Sequence, residues 1–297
     1  MMNRYIAGVF IGAITVISCG GSRHSKKQVT LPGTWQPTPI VIDGDSKDWP
    51  SPYPNYDAKS MVAYATSNDK ENLYITMETG DEITQIKILK QGMTVSIDTS
   101  GKKEPQFNID YPLQNDADPL ELPKDAGRPV VTTQQELTMG GMLDKQIMKS
   151  SQDANQFTLE GFNLCSGGFM VSQTLPCGIK VKVRMDEYKE LVWEAVVPFK
   201  AIYNKSMITE AERGKPISVC FVVKAFKKDN KGSTDNSNGG MNQQPSQGMG
   251  GRSGGMGGGG RGGGGRGSGG RTAVENPMDH LYEKTKTWKV FGLAYEP

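Results

Sequence analysis

Residues 61–78 read MVAYATSNDKENLYITME, which places two β-rich runs on either side of a polar turn. The first run, residues 61–66, combines β-branched, aromatic and small side chains. The second run, residues 72–78, alternates apolar and polar side chains, as a half-buried strand does. Ser67, Asn68, Asp69 and Lys70 supply the turn between them. The pattern predicts an antiparallel β-hairpin at this point of the chain.

Strand-like runs recur along the rest of the chain. They cover residues 93–98, 107–111, 157–162, 179–185, 191–197, 217–226 and 287–293. Residues 83–89 fit a further strand or a short helix, and residues 208–213 fit a helix or a turn. Many short strands with few helices are typical of a sandwich of two sheets. We therefore predict an all-β fold, an antiparallel β-sandwich, over residues 40–297.

Two segments interrupt this pattern and are predicted to be long loop insertions. Residues 113–156 are polar and proline-containing, with a short helix possible at residues 137–148. Residues 229–272 hold 19 of the 37 glycines in the chain, with arginines and methionines spaced among them. Glycine at this density cannot offset the entropy lost on ordering, so a disordered loop is expected. A strand follows it, which places the loop inside the domain.

The N-terminus carries an export signal. Arg4 precedes an apolar run at residues 6–17 that is too short to span a bilayer but suits a signal peptide. The run ends in Val16-Ile17-Ser18-Cys19-Gly20, which resembles the lipobox of bacterial lipoproteins. The resemblance implies that residues 1–18 are a cleaved signal peptide and that Cys19 is lipidated. Residues 19–39, small, basic and then proline-containing, are predicted to be a flexible tether to the membrane.

The same resemblance bears on the side of the membrane that the domain faces. The basic residues after Cys19 lack the acidic residues that mark some surface-exported lipoproteins. We therefore expect a lipid anchor in the cell envelope, at the outer membrane with the domain on the periplasmic side, and the side stays open.

Three cysteines remain after lipidation of Cys19, and an odd number cannot pair fully within one chain. Cys165 and Cys177 flank a segment able to turn back on itself, and the exported location is oxidising. We predict that these two form a disulfide. Cys220 lies in an apolar strand pattern and is predicted to be a buried free thiol.

Three motifs together resemble a known family. Residues 42–49 read IDGDSKDW, residues 72–77 read NLYITM, and residues 191–199 read LVWEAVVPF. Their order, with the final strand around Trp288, is similar to that of family 9 carbohydrate-binding modules and related DOMON-like domains. The resemblance implies a β-sandwich and a glycan as one kind of partner.

Sugar-binding members of that family hold a ring between exposed aromatic side chains. In this chain core packing accounts for Trp49, Trp193 and Trp288, and Trp35 belongs to the predicted tether. Two further aromatic residues, Tyr53 and Tyr56, are therefore the candidates for ligand contact. A heme role would need axial ligands, but the chain has only His24 and His280 as histidines, so no cofactor is predicted.

Two groups of side chains in the sequence contain atoms that can bind a metal ion. Asp43, Asp45 and Asp48 form a weak calcium candidate, but their spacing departs from that of an EF-hand loop and a solvated turn is the simpler interpretation. Methionines at positions 139, 142, 148, 241, 249 and 256 resemble soft-metal ligands, although no histidine supports them. We predict no metal site.

The remaining function classes are constrained by charge and motifs. Basic and acidic residues nearly balance, 34 against 32, and the glycine/arginine segment lacks interleaved aromatic residues, so no nucleic-acid partner is expected. No placed histidine supports nucleophilic catalysis. We therefore predict a non-catalytic, membrane-anchored envelope lipoprotein with a binding or assembly role toward an envelope protein or glycan. The alternatives are a glycan-binding lipoprotein acting in polysaccharide capture and, as a second alternative, an enzyme.

Overall fold

The computed structural model describes residues 30–114, 119–121, 133–228 and 277–297, with the backbone alone at residues 133–139 and 277. The predicted signal peptide, Cys19 and the glycine-rich loop at residues 229–272 lie outside the described residues. Within the described part, the strands form two sheets in which every strand pair is antiparallel.

The first sheet has five strands. Their spatial order is β1 (Asn55–Asp57), β2 (Val62–Asn68), β3 (Asn72–Thr79), β9 (Leu191–Pro198) and β8 (Lys180–Met185). Strands β2 and β3 are the hairpin predicted from residues 61–78, with Asn68 opposite Leu73 next to the turn. The carboxylate of Asp69 closes that turn by accepting hydrogen bonds from the backbone N–H groups of Glu71 and Asn72.

The second sheet has six strands. Their order is β11 (Thr285–Phe291), β10 (Ile217–Val223), β4 (Met93–Asp98), β5 (Phe107–Asp110), β6 (Gln156–Glu160) and β7 (Gly167–Met170). Strands β1 and β7 were not predicted from the sequence. β1 has three residues and β7 contains two glycines, so neither has a strand pattern long enough to recognise.

The core lies between the two sheets. Alternate residues of each strand point to the same face, so Leu73, Ile75 and Met77 from β3 meet Val95 and Ile97 from β4 in one buried cluster. The outer face of the first sheet carries a second, smaller cluster of buried residues formed by Ile40, Trp49, Ala65, Tyr74 and Val196. The segment before β1 therefore covers this outer face.

Among the described residues, four α-helices lie between the strands, α1 (Glu82–Gln91), α2 (Thr133–Asp153), α3 (Phe199–Tyr203) and α4 (Glu210–Arg213), in addition to two short 3-10 helices. Residues 83–89, which fit either a strand or a short helix in the sequence, belong to helix α1. The Asp81 side chain caps the first turn of this helix by accepting a hydrogen bond from the Thr84 N–H. Helix α2 is longer than the helix expected at residues 137–148. No described helix combines the length and the apolar character that a membrane crossing requires.

The insertion at residues 113–156 is not simply a loop. Helix α2 packs against α1, and Leu143 and Ile147 belong to the main core. These two residues are four apart, so they share one face of a helix. The polar residues around them hide this apolar stripe in the sequence.

Residues 30–39 differ from the predicted tether, because they pair with the domain. The Leu31 N–H donates to the Val290 carbonyl at 2.7 Å, and the Gly292 N–H donates to the Leu31 carbonyl at 2.9 Å. The Gln36 N–H donates to the Asn68 carbonyl at 2.9 Å. This segment therefore connects the end of β11 in one sheet with the end of β2 in the other.

The cysteines of the described part have two different states. Cys165 and Cys177 form a disulfide with their Cα atoms 5.8 Å apart. Cys220 is a free, fully buried thiol on β10, and burial raises its pKa to about 11.

Candidate functional site

A cleft opens where the edge strand of one sheet faces the edge strand of the other. Its volume is about 510 Å³. We call it the aromatic cleft. It is lined by Leu31, Pro54, Asn55, Tyr56, Tyr64, Lys103, Trp288, Lys289 and Val290. A concave site with aromatic walls and a few placed polar groups is the usual form of a small-ligand site.

Tyr56 supplies an exposed ring to the aromatic cleft. It lies on β1, and 58% of its surface is exposed. Its hydroxyl donates to the Met61 sulfur at 3.4 Å, which fixes one edge of the ring. A ring held in this way can present its face to a ligand without a large loss of side-chain entropy.

Trp288 is the second ring of the aromatic cleft, and its position corrects the prediction that it packs in the core. It is half-buried and is absent from both buried clusters. Along β11 the residues that turn inward are Thr287, which reaches Asp57, and Phe291, which is in the core. Trp288 has the opposite phase, so its indole faces outward.

Lys289 lines the aromatic cleft next to Trp288 in sequence. Its Nζ is 5.5 Å from the centroid of the Tyr64 ring and 3.8 Å from Oδ1 of Asp57. Asp57 also accepts hydrogen bonds from the Ser60 hydroxyl at 2.7 Å and the Thr287 hydroxyl at 2.8 Å. Burial alone raises the pKa of Asp57, but these hydrogen bonds outweigh it and hold the pKa below its usual value.

Tyr53 does not share the site of Tyr56. It is half-buried and packs on the outer-face cluster of the first sheet. Its hydroxyl is 3.2 Å from the Thr76 hydroxyl, and burial raises its pKa well above the usual value. The structure therefore brings together Tyr56 and Trp288, not Tyr56 and Tyr53.

The three aspartates of the calcium candidate form a turn. Asp43 Oδ1 accepts from the Asp45 N–H at 2.8 Å, and Asp45 pairs with Lys47 at 3.0 Å. Asp48 accepts from the Val41 N–H at 3.1 Å. In the part of the chain that the structure describes, no group of three or more acidic, histidine or cysteine side chains could hold a metal ion.

The motif at residues 42–49 has a structural role through Glu194, which is fully buried in β9. One carboxylate oxygen of Glu194 accepts from the Trp49 indole N–H at 2.6 Å. The other accepts from the backbone N–H groups of Gly44 at 2.7 Å and Asp43 at 3.1 Å. Burial raises the pKa of Glu194 to about 7, and the three donors partly oppose that rise. The motif thus wraps a buried carboxylate and fixes the segment on the sheet.

A pair of carboxylates lies elsewhere on the first sheet. Burial, and then the charge of the neighbouring Glu190, raise the pKa of Glu78 to about 7. Neither residue lines the aromatic cleft. Within that cleft no carboxylate, histidine or cysteine is among the described lining residues.

Sequence comparison finds no family profile and no curated protein that matches this chain. Among solved structures, the chain is similar to a carbohydrate binding module family 9 from Caldicellulosiruptor kristjanssonii in complex with glucose. The TM-score is 0.30 at 11% identity, over 66% of this chain and 78% of that one. A module of that family from the same organism in complex with cellotriose gives a TM-score of 0.29 at 11% identity, over 66% and 76%. The predicted fold class, an antiparallel β-sandwich, is confirmed by the chain's own two antiparallel sheets and the core between them.

Sequence reasoning missed most of the cleft. Lys103 and Lys289 belong to no motif, and Trp288 was assigned to the core because it lies in a strand pattern. One signal was present in the sequence TKTWKVF at residues 285–291, where lysines occur two positions before and one position after the tryptophan. Lysines so close to an aromatic residue are typical of a strand edge that meets solvent.

Proposed function

We infer that this chain is a non-catalytic, lipid-anchored envelope protein whose β-sandwich binds glycans in the aromatic cleft. The observation that carries the inference is the pair of accessible rings, Tyr56 and Trp288, on the walls of one cleft. Sugars have an apolar face of C–H groups and a polar rim of hydroxyls. Aromatic rings bury that apolar face, and nearby polar side chains satisfy the hydroxyls.

Polar groups suited to the rim of a sugar lie beside the rings. Asn55 has a side-chain amide at the cleft, with one contact to the Tyr64 carbonyl at 3.4 Å. Lys103 and Lys289 add ammonium donors. The described lining contains donors, acceptors and apolar surface but not the paired carboxylates that most glycoside hydrolases use. Binding without turnover is the function that this set supports.

The anchor is proposed from the sequence around Cys19. A signal peptide followed by a lipobox would tether the domain to a membrane and hold the cleft close to envelope polysaccharides. Metabolic labelling with a fatty acid tests this step. The wild-type chain should take up label and the Cys19→Ala variant should not, and equal labelling of the two would refute the anchor.

Glycan binding is tested on the mature chain purified in detergent. We expect a subset of a glycan array to be retained, with affinity falling about tenfold in Trp288→Ala and in Tyr56→Ala, as loss of one stacking contact implies. Tyr188→Ala is the matched control, because Tyr188 is 77% exposed and lies outside the cleft. Retention of no glycan, or equal binding by all three variants, would rule out the cleft as a glycan site.

A further inference from the structure

The charge around the aromatic cleft has one sign. Of the described residues that line it, the charged ones are Lys103 and Lys289. Lys286 is exposed next to them, with its Nζ 5.8 Å from the centroid of the Trp288 ring. The carboxylate of Asp57 contacts this group, with its Oδ1 3.8 Å from Nζ of Lys289, and it also accepts hydrogen bonds from Ser60 and Thr287.

Lys103 is held at the cleft by an ordered loop. The buried carboxylate of Asp98 accepts from the Lys103 N–H at 2.6 Å and from the Glu104 N–H at 3.2 Å. Its other oxygen accepts from the N–H and the hydroxyl of Ser100, at 2.7 and 2.6 Å. The backbone at Lys103 adopts φ +67°, a conformation that non-glycine residues rarely adopt. These hydrogen bonds fix the backbone conformation of the loop and place the base of the Lys103 side chain at the cleft.

The two lysines on β11 lie on either side of the ring. Lys286 precedes Trp288 by two residues, so both side chains are on the outward face of the strand. Lys289 points inward, where Asp57 and the Tyr64 ring fix its position. A sugar stacked on Trp288 would therefore lie on the side of the strand that carries Lys286, whereas Lys289 lines the cleft from the inward side.

We propose that the aromatic cleft selects acidic glycans, with sugar residues whose carboxylate or sulfate groups pair with Lys103, Lys286 and Lys289 while their apolar faces stack on Trp288 and Tyr56. This selectivity rests on the glycan-binding function proposed above. A neutral sugar would offer no opposite charge to Lys103 and Lys286, whereas Lys289 keeps its contact with Asp57 in either case. An acidic sugar gains charge-assisted hydrogen bonds at the rim, which favour it over the neutral form.

The test compares acidic glycans with neutral partners of the same backbone, using the mature chain in detergent and calorimetric titration. The probes are an oligogalacturonate and its methyl ester, an alginate oligosaccharide, and a sulfated oligosaccharide with its desulfated form. At least one acidic probe should bind more tightly than its neutral partner, and raising the salt concentration should weaken only the acidic probe. The carboxylate and sulfate arms show which acid group is preferred.

Variants separate charge from stacking. Lys286→Gln should weaken the acidic probe about two- to fivefold and leave the neutral partner unchanged, as exposed ion pairs imply. Lys103→Gln removes a donor to sugar hydroxyls as well as a charge, so it should weaken both probes, and the acidic one more. Lys180→Gln, on the opposite edge strand β8, is the control. Trp288→Ala should weaken both probes. If neutral and acidic forms bind equally and the lysine variants have no effect, acid selectivity is wrong and glycan binding stands. If neither form binds, both proposals are wrong.

Discussion

At the level of single residues, two tryptophans on different sheets differ in burial. Trp193 is fully buried in β9, and its indole N–H donates to the Tyr111 carbonyl at 3.0 Å. Trp288 is half-buried at the edge of the second sheet. Both lie in strand patterns, but only Trp288 has lysines two positions before it and one position after it. The difference follows from the phase of each strand.

The first prediction concerns the stability of these two sites. Trp193→Ala should lower the free energy of unfolding by about 3–5 kcal/mol, because it opens a cavity in the core and leaves a buried carbonyl without its donor. Trp288→Ala should lower it by less than about 1.5 kcal/mol, since less apolar surface is lost. Urea unfolding monitored by circular dichroism measures both. A larger loss for Trp288→Ala would show that this ring is structural, which would also weaken its assignment to the cleft.

The second prediction concerns the buried carboxylate of Glu194. Its pKa in the folded chain is raised to about 7 from an ordinary value of 4.5, so between these pH values the folded state binds more protons than the unfolded state. The free energy of unfolding should therefore fall as pH rises from about 4.5 to about 7, by up to about 1.4 kcal/mol per pH unit from this group. Thermal unfolding measured at half-unit steps of pH gives the slope.

Glu194→Gln separates this group from others that titrate in the same range. The amide would turn an N–H₂ group toward a backbone or indole donor, so stability at low pH should fall by about 1–3 kcal/mol. The slope with pH should become shallower. It should not vanish, because the pKa of Glu78 is also raised to about 7. An unchanged slope in Glu194→Gln would contradict the assignment, and Glu78→Gln serves as the comparison.

At the level of elements, the structure shows which strands and helices could be predicted from local sequence patterns. The β2–β3 hairpin is local, with its turn residues between two β patterns, and so it could be predicted. The pairing of β3 with β9 joins residues more than one hundred positions apart, with Met77 opposite Trp193, and no local signal specifies that register. Helix α1 was ambiguous because its sequence, EITQIKILKQ, alternates as a strand does and also has helical spacing.

The aromatic cleft could not be predicted for a related reason. Its walls come from β1, from the segment around Leu31, from the loop that holds Lys103, and from β11. Tyr56 was selected, together with Tyr53, because the tryptophans had been assigned to the core or the tether. The others become a site only when the two sheet edges meet. A tertiary arrangement of this kind leaves no periodicity in the chain.

The third prediction tests the segment that connects the two sheets. A Cβ atom at Gly33 would lie 2.1 Å from the Gly292 carbonyl oxygen, so Gly33→Ala must displace backbone and should lower stability by about 1–3 kcal/mol. Gly140→Ala, in helix α2, is the matched control, because a Cβ there meets nothing within 4 Å. It should raise stability by about 0.5–1 kcal/mol. Equal effects of the two variants in thermal unfolding would show that residues 30–39 do form a tether.

At the scale of the whole molecule, the strands before and after the glycine-rich loop belong to one sheet. Strand β10 ends at Val223 and pairs along its length with β11, so that Val223 lies opposite Thr285. Beyond the strands the contacts continue, since the Phe226 N–H donates to the Leu281 carbonyl at 3.0 Å. Lys228 lies 5.2 Å from the centroid of the Tyr282 ring. The chain therefore leaves and re-enters the domain at neighbouring points.

The fourth prediction follows from this closeness. Replacing residues 229–272 with a Gly/Ser linker of about eight residues should leave the fold intact, because the short linker has little distance to cross. Loop-closure entropy changes by only about 0.6 kcal/mol for each doubling of length, so stability should rise by about 1–2 kcal/mol. Differential scanning calorimetry of the mature chain and of the shortened chain measures the change.

The control for this deletion lies on the strand that follows the loop. Phe291 is buried in the main core, and its ring packs edge-on against Tyr64 with centroids 6.5 Å apart. Phe291→Ala should cost about 3–5 kcal/mol, because β11 completes the sandwich even though the long loop separates it from β10 in sequence. If the shortened chain melts several degrees lower while Phe291→Ala melts normally, the loop is structural and β11 is peripheral. In that case the domain would not extend over residues 40–297 as one sandwich, and the aromatic cleft would lose the strand that carries Trp288 and Lys289.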